Sequence, residues 1–227
     1  MSTLIGKLAR ATLGSAHFAV LAFAAVALMA GGASGAVIQY DLSMEFSGAT
    51  PPEGAAPWLR VTIDDGGTPG SVTLSISDVN LTGTESLKVL MLNLDPAMDP
   101  TLLDFSAPTK TGSLDSPSIG LGVDAYQADG DGKFDIQFEF SDGGGASARF
   151  GVGEAVSYTV TGIGAMTADS FDFLSAPAGG HGPYPVAAHV GSIGTSGNDS
   201  GWITVPEPTS LSLIALAGLG LLRRRRA

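Results

Sequence analysis

Apolar and polar residues alternate with period two along most of the chain, the pattern of strands half-buried in a sheet. Ile38, Tyr40, Leu42, Met44 and Phe46 alternate with polar or small residues in the first such segment. Leu59, Val61 and Ile63 make the second, and Val72, Leu74 and Ile76 the third, after the turn-rich DDGGTPG. Residues 87–94, LKVLMLNL, are apolar on both parities, as in a strand buried on two faces. Phe134, Ile136, Phe138 and Phe140 give the cleanest alternation. Val156, Tyr158 and Val160 predict another strand, Phe171 and Phe173 a further one, and residues 186–193 and 202–205 the last two. Clusters of Gly, Pro, Asp and Ser separate them at residues 64–70, 141–145, 177–185 and 194–201. Short strands punctuated by turns predict an all-β fold, an antiparallel β-sandwich of jelly-roll-like type, with a barrel as the alternative. No long amphipathic helix is expected, only a short one near residues 101–106.

Both ends depart from this pattern. Lys7 and Arg10 precede an apolar run at residues 16–30, and small residues follow at 31–35. That order predicts a secretory signal helix over residues 1–35, cut before Ala36 with Ala33 and Gly35 at the −3 and −1 positions. At the other end, Pro206, Glu207 and Pro208 precede an uncharged apolar run at 211–222 and then Arg223, Arg224, Arg225 and Arg226. A run of that length makes roughly 18 Å of helix, short against a hydrocarbon core of about 30 Å. It can insert as a short transmembrane helix if the arginines snorkel and the bilayer thins. The arginines then stay cytoplasmic and the rest of the chain lies outside. The two prolines keep the triplet out of the helix, extended at the outer membrane face. The expected organisation is a signal peptide at 1–35, a β-domain at 36–203 and a tail signal at 204–227.

Triplet, short apolar run and arginine cluster, in that order, resemble the PEP-CTERM sorting signal of Gram-negative bacteria that export exopolysaccharide. The resemblance implies processing by exosortase, an integral-membrane cysteine protease acting near the triplet. Pro206, Glu207, Pro208 and the four arginines would then be substrate residues. It also implies transient contact with the inner membrane and a final setting at the cell surface, the outer membrane or an exopolysaccharide matrix such as a biofilm. Two stretches of the body, APWLRVTIDD and AAHVGSIGTSGNDSGWITVPEP, are similar to parts of other exported proteins with this tail and bring no known activity with them.

The two signals mask the charge of the body. The whole chain carries a net charge of −11, but residues 36–205 hold 21 acidic against 5 basic residues, a net of −16. Such a surface excludes nucleic acid and anionic membranes as partners and favours cations. The absence of cysteine excludes a thiol nucleophile, a thiolate metal site and a disulfide framework.

Candidate chemistry is sparse. The segment ADGDGKFD places Asp129, Asp131 and Asp135 in a Gly-containing loop, the kind of oxygen-rich loop that binds calcium. It departs from an EF-hand at Lys133, Phe134 and Phe140, and a solvated turn into the following strand is the competing reading. A second acidic run at 95–104 reads as an irregular loop with aspartate turn caps. Trp58 and Trp202, with Tyr126 and Tyr184, could stack on sugars or pack the core. His181 and His189 lack any serine partner or nucleophile elbow, so no Ser/His/Asp site is expected. The expectation is a non-enzymatic structural or interaction protein of the cell surface or exopolysaccharide matrix. A carbohydrate-binding lectin-like module and a calcium-dependent adhesin or extracellular hydrolase are the alternatives.

Overall fold

The computed structural model describes residues 35–143, 145 and 147–206. The expected signal and tail helices lie outside the described residues. Twelve strands are formed among those described: β1 (Val37–Leu42), β2 (Met44–Glu45), β3 (Leu59–Asp64), β4 (Val72–Asp78), β5 (Ser86–Leu92), β6 (Asp104–Phe105), β7 (Thr109–Thr111), β8 (Ser118–Ala128), β9 (Asp131–Glu139), β10 (Ala155–Thr161), β11 (Val186–Ile193) and β12 (Asp199–Thr204). One six-stranded sheet runs β1-β3-β4-β10-β6, with β7 also on β10; the other runs β2-β12-β11-β5-β9-β8. Every pairing is antiparallel.

The period-two pattern sets which face of each sheet is buried. In the first sheet Tyr40, Val61, Ile76 and Val156 lie opposite one another across four strands. In the second sheet Ile203, Ala188, Leu90 and Phe138 do the same. Both rows belong to one continuous buried cluster, so the two sheets share a core. Phe138 of the second sheet meets Tyr158 of the first with ring centroids 5.7 Å apart, and Phe105 edge-on at 5.6 Å. Burying each such side chain contributes roughly 1.5–3 kcal/mol. β5 is central in its sheet and buried on both faces at Met91 and Leu92. This matches the double-parity run in its sequence.

Three local expectations are corrected. The alternation over residues 38–46 is not one strand. The chain leaves the first sheet after Leu42 and enters the second at Met44, where the Ser43 amide donates to the Thr204 carbonyl at 2.9 Å. Tyr40 and Leu42 therefore face the shared core, while Phe46 packs on Tyr184 elsewhere, ring centroids 4.4 Å apart. Phe171 lies in the 3-10 helix Ala168–Phe171 rather than a strand. Its ring is buried in the core, and its carbonyl accepts the Tyr40 hydroxyl at 2.9 Å. The third change is β8, the longest strand, an edge strand absent from the expected set: Ile119, Leu121 and Val123 alternate with glycine, Ile119 and Leu121 pack against the core, and the register breaks between Leu121 and Tyr126. The short helix near residue 101 is present as the 3-10 turn Pro100–Leu102, capped by the Asp99 side chain.

Candidate functional site

The second sheet presents a face directed away from the shared core. Because neighbours in register share a face, Trp202, His189, Val89 and Glu139 form a row across β12, β11, β5 and β9. His189 and Trp202 stack with centroids 4.9 Å apart and ring planes 14° from parallel. Burial, and then the Lys88 charge, hold the His189 imidazole below its ordinary pKa, with Asp142 and Asp129 acting weakly the other way. The ring is therefore neutral at neutral pH.

Two β-bulges shape the end of this face. One displaces the register at His189/Val190 and leaves Lys88 as the extra residue of β5; the other lies between Gly191 and Ile193. Ser192, within the second bulge, takes φ of +59°, a strained value for a residue other than glycine. A Cβ at Gly191 would stand 2.8 Å from Cε of Lys88, whose stem crosses the glycine, so a side chain there would push the lysine aside. The Lys88 ammonium pairs with the exposed Asp142 carboxylate. The result is an open depression of about 380 Å³, floored by Val89 and His189 and rimmed by Glu139, Asp142, Asn198 and Asp199. Its lining carries one cation, Lys88, among three carboxylates.

The three aspartates of the ADGDGKFD segment are not brought together as a ligand set. Asp129 and Gly130 are the turn of the β8–β9 hairpin. Their φ values of +55° and +81° are the double positive φ of a two-residue hairpin turn. Asp131 opens β9 with its carboxylate buried. That carboxylate accepts the amides of Gly180 (2.6 Å) and His181 (3.0 Å) and contacts His181 Nδ1 at 2.9 Å. Burial opposes its ionisation, but these hydrogen bonds outweigh burial and hold the carboxyl below the usual range. Gly179 has φ of +68°, and a Cβ there would collide with the same carboxylate, so the loop closes on Asp131 only with glycine. Asp135 instead accepts the amides of Leu94 (3.0 Å) and Asp124 (2.9 Å), tying the end of β5 to β8. Among the described residues no group of three or more histidines and carboxylates is placed to hold a metal ion.

Of the two tryptophans, Trp58 is a core residue, 7% exposed, with Nε1 donating to the Gly54 carbonyl at 2.6 Å. Trp202 is half-buried on the outer face just described. Tyr126, on the far side of the same sheet, packs against the same apolar cluster, and Tyr184 is buried there. The sequence flagged Trp202 and His189 separately. Their stacking depends on the β11–β12 register, and no local signal marks Lys88, Ser192 or Glu139 as their neighbours.

The tail leaves the body from β12. This strand lies between β2 and β11. At its end the Thr204 hydroxyl donates to the Val186 carbonyl at 2.6 Å, and Thr204 is fully buried. Val205 is half-buried against the core, and Pro206 is exposed. Glu207, Pro208 and Arg223 to Arg226 lie outside the described residues.

Residues 204–226 match the PEP-CTERM protein-sorting motif. The chain thus carries the signal of an exosortase substrate, which marks export and sorting to the cell surface. No curated protein and no solved structure matches the chain.

Proposed function

We propose that the body is a non-catalytic β-sandwich delivered to the cell surface, where it serves as a structural or interaction protein of an exopolysaccharide matrix. The observation that carries this reading is the sorting motif at 204–226, which continues without a spacer from the last strand of the fold. The acidic body supports it, because a net charge of −16 keeps such a domain soluble among anionic polymers. The test is co-expression with a matching exosortase. The tail should be lost, and replacing Pro206, Glu207 and Pro208 with alanine should block the loss. Processing that persists in the alanine variant would count against the triplet as the recognised element. Turnover of chromogenic glycosides or esters by the purified protein would overturn the non-catalytic part.

A second reading, a lectin-like module, is favoured by the outer-face depression. Half-buried Trp202 stacks on His189, and His189 lines the depression with Glu139, Asn198 and Asp199, whose side chains can hydrogen-bond sugar hydroxyls. Glycan-array binding that is lost in Trp202→Ala would support it. Binding that survives that change would remove the Trp202–His189 stack as the sugar platform.

A further inference from the structure

A carboxylate that is 8% exposed, Asp65, sits in the turn between β3 and β4. One of its oxygens accepts the Ala36 amide at 2.9 Å and the Gly67 amide at 2.8 Å. The other accepts the Ala168 amide at 3.2 Å. The Asp65 amide donates in return to the Ala36 carbonyl at 3.2 Å. Asp65 thereby ties the residue before β1, and the first residue of the 3-10 helix Ala168–Phe171, to the β3–β4 turn. The Gly67 and Ala168 hydrogen bonds, against burial, hold its carboxyl below the usual carboxylate range, so it is charged at neutral pH. Yet no side-chain cation faces it. Among the described residues the ion pairs are Arg60–Asp41, Lys88–Asp142 and His181–Asp131. A buried anion held only by amides lacks the counter-charge that would offset its desolvation.

The chain can supply that charge itself. Ala36 is the residue at which the sequence ends the secretory leader. Hydrolysis of the Gly35–Ala36 peptide bond consumes one water. The C–N bond breaks, the water oxygen stays on Gly35 as a carboxylate, and the Ala36 nitrogen takes up the protons to become an ammonium. The nitrogen that gains the charge is the one already 2.9 Å from the Asp65 carboxylate. A cut one residue later would remove both Ala36 bonds to Asp65, and an earlier cut would leave a neutral amide in that position.

We propose that the mature body begins at Ala36 and that its terminal ammonium is the counter-ion of Asp65, an ion pair that exists only once the leader is gone. This rests on the leader expected over residues 1–35. Leader removal then does more than release the chain from the membrane: it supplies the charge that the clasp of β1, the β3–β4 turn and the 3-10 helix lacks before processing.

The full chain, expressed in an exporting bacterial host, tests this. N-terminal sequencing of the exported protein should read Ala36 first. Acetylation of that amine by an N-hydroxysuccinimide ester at pH 7 should be at least about ten-fold slower in the native protein than in urea, the effect of a carboxylate raising the amine by about one pKa unit or more. Asp65→Asn should remove most of the difference. An N-terminus at any other residue overturns the pair and leaves the chain exported. A chain that retains residues 1–35 overturns the leader and the pair together. Equal rates in native protein and urea overturn the pair alone. In case Asp65→Asn does not fold, nuclear magnetic resonance titration of the parent protein gives a second readout. Asp64 in the same turn, and Asp169 and Asp172 at the 3-10 helix, act on the amine in the same direction as Asp65. The Asp65 carboxyl carbon must therefore shift at the midpoint of the Ala36 amine, and that midpoint must lie above the ordinary value of about 8. A midpoint at or below about 8, or an Asp65 carbon that does not follow it, overturns the proposal.

Discussion

The imidazole of His189 lies nearly flat against the indole of Trp202, on adjacent strands in direct register. The contact covers the outer face of the second sheet and places a titratable ring in a half-buried setting. The His189 pKa is held below its ordinary 6.5, so the unfolded chain takes up this proton before the folded one does. The stabilisation is complete above about pH 6.5 and declines as pH falls through that value toward the lowered one. His189→Phe keeps a ring on Trp202 and removes the titration. The loss of urea midpoint between about pH 7.5 and about pH 5.5, roughly one unit either side of the free-histidine value, should be smaller in the variant. An equal loss in both proteins would show that His189 does not drive the acid sensitivity.

Asp131 anchors the loop that carries Gly180 and His181. Its carboxyl is held below the ordinary 3.8, so its contribution is present above 3.8 and is lost as pH falls through the lowered value. Asp131→Asn should lower the melting temperature at neutral pH, with the gap to the parent protein narrowing below pH 3.8. Hydrogen exchange of the 176–183 backbone should rise in the same variant. Since Asp131 and Asp135 already bind amides, millimolar calcium or chelator should leave the parent melting temperature unchanged. A calcium-dependent rise would restore the hairpin as a metal site.

The Tyr158 hydroxyl is buried without a hydrogen-bond partner, and burial pushes its pKa up to about 12. Leaving such a group unsatisfied costs about 1–3 kcal/mol. Tyr158→Phe removes the hydroxyl and keeps the ring contacts with Phe138 and Phe105. It should raise the melting temperature by roughly 2–4 °C for each kcal/mol regained in a domain of this size. A fall on calorimetry would show that the hydroxyl is satisfied in solution.

The two tryptophans should separate cleanly in fluorescence. Trp202→Phe leaves Trp58, whose emission should be blue-shifted and shielded from iodide. Trp58→Phe leaves Trp202, whose emission should be quenched more readily. Trp58→Ala should also cost about 3–5 kcal/mol as a large-to-small core change, a loss that Trp202→Ala should not approach. Equal iodide quenching of the two single-tryptophan proteins would contradict their placement.

The strands that could be read from the sequence are those with one face in the core. Leu59, Val61 and Ile63 alternate because β3 is an interior strand with one buried face, and residues 87–94 lose alternation because β5 is covered on both. β8 was harder to read: Ile119, Leu121 and Val123 alternate with glycines that resemble turn residues, and the alternation breaks at the irregularity between Leu121 and Tyr126. The switch at Ser43 was hidden because alternation continues through it while the partner strand changes. The aspartates of the β8–β9 hairpin looked like ligands because residue type and spacing are the same for a metal loop and for a hairpin turn followed by two amide acceptors. Only the distant partners Gly180, His181 and Leu94 distinguish them.

By itself the sequence determined the all-β class, the acidic body and the sorting signal, since each depends on local periodicity, composition or contiguous residues. Tertiary structure alone decided that His189 meets Trp202, that Trp58 is core, and that Asp131 binds a loop about fifty residues away. It also decided that the last strand is locked up to Val205 just before the triplet begins. These depend on antiparallel pairing between distant segments, where a register shift of one residue would move every side chain to the opposite face.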